Sequence, residues 1–273
     1  MADYTPLEVP ATELSELPLM HPGRPVGRDT LIKELYDSAR QNRPILLYGE
    51  RGVGKTALAA ALSAAFIQQP GGVLWLDGQV PTFAALLVKI GRAYGLDDVT
   101  QSQKPGGLVG MVASSLMQHR PLVVIDNLET VADTTALLPF LRQLANPSKF
   151  LLTSRWSLQS ESGIFCYSLH ELNTIDALAF LRHEAEVRGI QALIDARQAQ
   201  LERIYGVVGG NPLALKLVIG QARFLPLTQV LTNLQEAQGH QVHDLYTYIY
   251  WQAWQLLDDA GRRLLLVLPV ESN

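Results

Sequence analysis

Ile45-Leu46-Leu47-Tyr48-Gly49-Glu50-Arg51-Gly52-Val53-Gly54-Lys55-Thr56 runs an apolar strand into Gly-x-x-x-x-Gly-Lys-Thr, and an Ala- and Leu-rich helix follows. This is a phosphate-binding loop in the strand-to-helix context it requires. Glycines let main-chain N–H groups curl around a phosphate chain. Lys55 brings a point charge for β- and γ-phosphates, and the Thr56 hydroxyl is placed to hold Mg²⁺. The helix beginning at Lys55 aims the positive end of its dipole at the anion.

Outward from this loop, strands and helices alternate. Ile45–Tyr48 reads as the first strand, followed by a helix over 55–69 that Pro70-Gly71-Gly72 ends. Upstream, Leu31, Ile32, Leu35 and Tyr36 recur at helical spacing. Downstream come a strand at 73–76, helices at 82–94 and 107–118, and a strand at 122–125. A helix at 134–145, a strand at 149–153 and a short strand at 164–168 complete the series. Such alternation predicts an α/β fold with a parallel five-stranded sheet and flanking helices. The strands are near-continuous apolar runs, as strands covered on both faces should be. Ligands of such sheets sit past the C-terminal strand ends, where the loop, Asp126 and Arg155 all fall.

After about residue 170 the strand signals stop. Helices are predicted at 174–187, 191–205, 212–222 and 227–237. A further helical segment over 244–257 carries Trp251 and Trp254, and Asp258-Asp259-Ala260-Gly261 opens a last apolar helix. The expected organisation is a leader over 1–23, a nucleotide-binding domain over 24–170, a helical lid over 171–240 and the beginning of another domain over 241–273.

Leu122-Val123-Val124-Ile125-Asp126 ends a strand in a carboxylate that can hold Mg²⁺ through water. Hydrolysis also needs a group that positions the attacking water. The position directly after Asp126 is Asn127, which orients water but accepts no proton at neutral pH. Glu129 is the nearest acid, either acting on water or simply solvated in a first turn. Slow turnover is therefore expected. Lys149-Phe150-Leu151-Leu152-Thr153-Ser154-Arg155 ends another strand at a cation that can reach a γ-phosphate.

The chain has 273 residues, 48% of them hydrophobic and 18% charged, with a net charge of −4. That balance gives no electrostatic footprint for nonspecific nucleic-acid binding. The single cysteine, Cys166, excludes an intrachain disulfide and reads as a small buried apolar residue. No apolar run reaches the roughly 18 residues of a membrane span, and Met1-Ala2-Asp3-Tyr4 does not open like a signal peptide. A cytoplasmic location without membrane partners is expected.

Two more signals lie outside the predicted sheet. Val26-Gly27-Arg28-Asp29 precedes the first strand, and Val207-Val208-Gly209-Gly210-Asn211-Pro212-Leu213-Ala214 opens a helix with Pro at its start, where the missing N–H loses no bond. With these, the chain resembles the STAND class of signalling ATPases, its NB-ARC-like branch in particular, over about residues 24–270. Gly49–Thr56 matches Walker A, Leu122–Asp126 matches Walker B, Thr153-Ser154-Arg155 resembles the sensor motif, and Gly210-Asn211-Pro212-Leu213 is similar to the Gly-x-Pro motif of the small helical domain.

The resemblance implies ATP or ADP with Mg²⁺. It places Val26, Gly27 and Arg28 on the adenine side and Gly49, Gly52, Val53, Gly54, Lys55, Thr56 and Ala57 around the phosphates. Pro212 and Leu213 would lie against the base, Thr56 and Asp126 at the metal, and Lys55, Asp126, Asn127, Glu129 and Arg155 at the reacting end. It implies an ADP-closed state and an ATP-open, self-associating state, with effector and sensor domains elsewhere and residues 241–273 beginning a winged-helix domain. Two other readings stay open. One is an AAA+-like ATPase with steady turnover, for which Arg223 is a candidate lid arginine. The other is a nucleotide-regulated DNA-binding regulator, against which the acidic balance of this fragment argues.

Overall fold

The computed structural model describes residues 25–39, 41, 43–67, 69, 71–76, 82–96, 105–131, 134–159, 161–237, 251, 254–255 and 257–267. The chain divides into two compact units between Leu169 and His170.

The first unit is a parallel sheet between helices. Its elements are α1 (Asp29–Ala39), β1 (Ile45–Tyr48), α2 (Lys55–Ala64), β2 (Val73–Leu76), α3 (Phe83–Ala93), α4 (Pro105–His119), β3 (Leu122–Ile125), α5 (Thr134–Leu144), β4 (Lys149–Ser154) and β5 (Phe165–Ser168). The strand order is β2-β3-β4-β1-β5, and every pairing is parallel. The loop-bearing β1 thus has β4 on one side and β5 on the other. β4 separates it from β3, with Ile45 opposite Leu151 and Leu122 opposite Lys149.

Successive strand residues point to opposite faces, and both faces are buried. Ile45, Leu47, Val73, Trp75, Val124 and Leu151 pack with Leu31 and Leu35 of α1 and Leu58 and Leu62 of α2. Leu46, Leu76, Val123, Ile125 and Leu152 pack on the other face with α3, α4 and α5 through Leu86, Ile90, Val112, Leu116, Leu137 and Leu141. Each fully buried leucine removes enough apolar surface from water to contribute roughly 2 kcal/mol. The apolar runs of β1, β3 and β4 therefore have the cover that their composition predicts. β5 does not, because it is an edge strand paired only with β1 and all four of its residues are half-buried. Cys166 lies there, so it is half-buried rather than a core residue.

α2 also departs from expectation. It ends at Ala64 rather than running to Gln69, because the Ala65 and Phe66 N–H groups turn to the carbonyls three residues back, at 3.1 and 2.8 Å. Phe66 nonetheless stays buried against the sheet.

The second unit is helical, with α6 (Thr174–Arg188), α7 (Gln191–Ile194), α8 (Gln198–Val208), α9 (Pro212–Ala222) and α10 (Leu227–Ala237). The single helix predicted over 191–205 is two. The Gln200 side chain accepts the Arg197 N–H at 2.9 Å and starts α8 afresh. α6 packs on α7, α8 and α9 around Leu181, Leu193, Ile204, Leu215 and Val218. Asn211 caps α9 by accepting the Leu213 N–H at 3.0 Å, with Pro212 at the first helical position. The turn before it is tight. Leu172 N–H donates to Gly210 O at 2.9 Å, Gly210 N–H donates to the Glu171 carboxylate at 3.1 Å, and a Cβ on Gly210 would lie 1.8 Å from Leu172 O. The predicted leader and most of the segment over 238–257 fall outside the described residues. Trp251 and Trp254 are helical, and a last helix spans Asp259–Val267 with Gly261 N–H bonded to Asp258 at 2.7 Å.

Candidate functional site

The loop after β1 closes on itself around one ammonium. Lys55 Nζ donates to Gly49 O at 2.8 Å and to Glu50 O at 2.9 Å. Gly54, the residue before α2, holds φ 100°, and no atom lies within 4 Å of where its Cβ would stand. That open side is what close approach of a phosphate to the main chain needs. Gly49 is packed on its other side, where a Cβ would come 2.4 Å from Leu169 O. Lys55 is 8% exposed. Burial lowers its pKa, the Glu129 carboxylate opposes that, Arg155 adds to it and Asp126 opposes it.

Asp126 stands directly past β3, its N–H bonded to Leu76 O at 2.9 Å. Its Oδ1 accepts the Thr56 hydroxyl at 3.0 Å and also the Thr153 hydroxyl of β4. Thr153 Oγ1 in turn accepts the Asn127 N–H at 2.9 Å. Burial pushes the Asp126 carboxyl up, the bonds from Thr153, Thr56 and the Asn127 N–H oppose this, and Glu129 reinforces it. Thr153 is fully buried and ties β3 to β4 at the site. Sequence reasoning gave it no role of its own. Its signal is its place in the Thr153-Ser154-Arg155 run that ends β4.

Asn127 takes the left-handed conformation, φ 58° and ψ 57°, and a 3₁₀ turn, Leu128–Thr130, follows. Thr130 fastens the turn by donating its hydroxyl and its N–H to Asn127 O at 2.9 and 3.0 Å. Glu129 projects from this turn to Arg155. Its Oε1 lies 3.2 Å from Arg155 Nε, and its Oε2 accepts the Arg155 N–H at 3.3 Å.

The structure thus brings Lys55, Thr56, Asp126, Glu129 and Arg155 to the C-terminal ends of β1, β3 and β4, with Asn127 beside them. Gly49, Gly52, Val53, Gly54 and Ala57 are the loop and first turn of α2. Val26, Gly27 and Arg28 form the turn that leads into α1, with Gly27 at φ 72°. Pro212 and Leu213 belong to the second unit, at the start of α9.

Thr56 and Asp126 fit Mg²⁺, since a hydroxyl and a carboxylate held together are hard oxygen donors at the head of a helix. No group of three or more His, Cys, Asp or Glu that could hold a metal occurs among the described residues. Mg²⁺ needs none, because substrate phosphates and water complete its shell. A separate cleft of about 300 Å³, lined by Phe66, Gln69, Gly72, Arg120, Leu122, Pro147 and Lys149, opens where β3 and β4 begin. It is at the opposite strand ends from the loop, away from where parallel sheets bind their ligands. Among the described residues no helix is long and apolar enough to cross a membrane.

Comparison with known proteins agrees with this geometry. Residues 38–156 match the AAA domain family. No curated protein matches the chain. Among solved structures, the chain is similar to a Signal Transduction ATPase with Numerous Domains (STAND) protein with a tetratricopeptide repeat sensor from Pyrococcus horikoshii. That match has 16% identity and a TM-score of 0.61, covering 88% of this chain but 34% of that one. It is similar to Cdc6p from Pyrobaculum aerophilum at 14% identity and TM-score 0.59, covering 94% of this chain and 74% of that one. The ORC2 protein of Aeropyrum pernix, in ADPNP and ADP complexes, matches at 21% identity and TM-score 0.54, covering 80% and 70%. The chain spans about a third of the length of the STAND protein and about seven-tenths of the other two. Loop, acid and strand order agree with these matches, and the sheet unit has the P-loop NTPase fold, with residues 38–156 similar to an AAA domain.

Proposed function

We propose that this chain is an adenine-nucleotide switch of the STAND class, closed with ADP, open and self-associating with ATP, and slow to hydrolyse it. The observation that supports it most is the Thr56–Asp126 bond at 3.0 Å beside a lysine already curled into its own loop. Lys55 exchanges its two carbonyl acceptors for phosphate oxygens. Thr56 and Asp126 hold Mg²⁺, which when bound neutralises charge on the β- and γ-phosphates. Asn127 stands where an acid would accept the proton of water, so the site binds better than it turns over. Arg155 reads the γ-phosphate. Val26, Gly27 and Arg28 serve the adenine side, and Pro212 and Leu213 cover the base.

Driving such a switch from 1:99 to 99:1 takes about 5.5 kcal/mol of differential binding. Charge-assisted bonds from Lys55 and Arg155 to one added phosphate are of that order. The effector, the sensor and the self-associating surface belong to the proposal as partners, with effector and sensor lying outside residues 1–273.

The test is to denature the purified chain, identify the released nucleotide by chromatography, and measure ADP binding. Retained ADP and tight ADP binding, lost in Lys55→Ala with the fold intact, are expected. An empty chain that does not bind ADP refutes the proposal. A second reading, an AAA+-like ATPase with steady turnover, is favoured by the AAA domain match over 38–156. Turnover above about 1 per second would select it.

A further inference from the structure

We infer that Glu129 is a positioning residue for Arg155, bracing the γ-phosphate-reading arginine, rather than the acid that activates water. This rests on the nucleotide reading above and adds to it a specificity determinant for ATP over ADP.

The geometry is that of a bracket. Both carboxylate oxygens of Glu129 are used by one residue, Oε1 by Arg155 Nε at 3.2 Å and Oε2 by the Arg155 main-chain N–H at 3.3 Å. The arginine is gripped at its main chain and near the end of its stem. The grip uses Nε and the main-chain N–H. Glu129 is itself fixed. It lies on the turn that Thr130 fastens to Asn127, and the neighbouring Leu128 is 2% exposed. The Glu129 side chain is 14% exposed and that of Arg155 38%, so the anchor is the more enclosed partner.

A long side chain ordered before its ligand arrives loses less conformational entropy on binding. The bracket therefore strengthens whatever Arg155 binds. ADP lacks the phosphate that Arg155 reads, so only ATP benefits. The same grip turns both oxygens toward residue 155, the opposite of what a base for water requires. With Asn127 next to Asp126, the site keeps a recognition device where a fast hydrolase has a proton acceptor.

The test measures, on the full chain with Mg²⁺, the affinities for ADP and for a non-hydrolysable ATP analogue, and turnover at saturating ATP. Wild type is compared with Glu129→Ala, Glu129→Gln, Arg155→Ala and the Glu129→Ala/Arg155→Ala double variant. Glu129→Ala is expected to lower the ATP-to-ADP affinity ratio about 5- to 10-fold with ADP affinity unchanged. Glu129→Gln, which keeps one acceptor, falls between it and wild type, and carries the comparison if the alanine variant does not fold. In the Arg155→Ala background the Glu129 effect vanishes, and turnover at saturation falls no further than in Arg155→Ala alone. The inference is overturned if Glu129→Gln keeps the wild-type affinity ratio and loses turnover 100-fold or more, the signature of a base. It is also overturned if the Glu129 effect persists without Arg155. If nucleotide binds through Lys55 and both Glu129 variants behave as wild type, the bracket alone fails. If wild type and Lys55→Ala bind alike, the nucleotide reading fails with it.

Discussion

Lys55 and Asp126 bring opposite charges to one loop edge, and burial works against both. Asp126 has its pKa raised above the ordinary 3.8, so the native state holds its proton to higher pH than the unfolded chain. The sign follows from linkage. This contribution to stability is full below the unfolded pKa and is lost as pH rises through the raised native one. At neutral pH the nucleotide-free protein therefore carries a cost at Asp126 that its hydrogen bonds offset only in part. Asp126→Asn keeps an acceptor for Thr56 and Thr153 and removes the charge. Its melting temperature without nucleotide should equal or exceed that of wild type at pH 7, while Mg²⁺-dependent ATP affinity falls. A melting temperature several degrees lower would contradict this. Thr153→Val keeps the strand-forming shape and removes both the hydroxyl that donates to Asp126 and an acceptor of the Asn127 N–H. It should cost about 1–3 kcal/mol in chemical denaturation, and a neutral effect would show that the Thr153 bridge is dispensable. Lys55, Thr56 and Asp126 were legible in the sequence because their chemistry fixes residue type and spacing together. Thr153 was legible only as part of the Thr153-Ser154-Arg155 motif, and its bridge to Asp126 and Asn127 was not, since a β-branched residue in a strand needs no other reason to be there.

At the scale of elements, β1, its loop and α2 form one piece whose first glycine is wedged against the chain leaving β5. A methyl at Gly49 would meet Leu169 O at 2.4 Å, at a φ of 154° that side chains rarely adopt. Gly49→Ala should thus lower both stability and ADP affinity, by about 1–3 kcal/mol of strain in denaturation. Unchanged values in both would mean that the loop gives way freely. Every strand was legible from its apolar run, and cover on both faces followed from how continuous those runs are. The order β2-β3-β4-β1-β5 was not, because helical crossovers of similar length can land a strand at either neighbour. The C-terminal end of α2 and the break between α7 and α8 were also hidden. They depend on which carbonyl a main-chain N–H selects, and helical periodicity continues across such breaks.

On the scale of the whole molecule, the chain is a sheet unit and a helical unit joined between Leu169 and His170. A ligand that binds only the folded chain stabilises it by mass action, about 2.7 kcal/mol at a hundredfold excess over its dissociation constant. ADP should therefore raise the melting temperature of wild type in calorimetry and leave that of Lys55→Ala unmoved. Equal shifts in both would place the ligand elsewhere. That the second unit is helical was legible from the loss of strand signals.

Gly49 also ties the site to this junction. The Leu169 N–H donates to Tyr48 O at 2.7 Å, and the Leu169 carbonyl lies flush against the next residue, Gly49. Any tightening of the loop by an incoming anion is borne by the last peptide of the sheet unit, with no side chain between to absorb it.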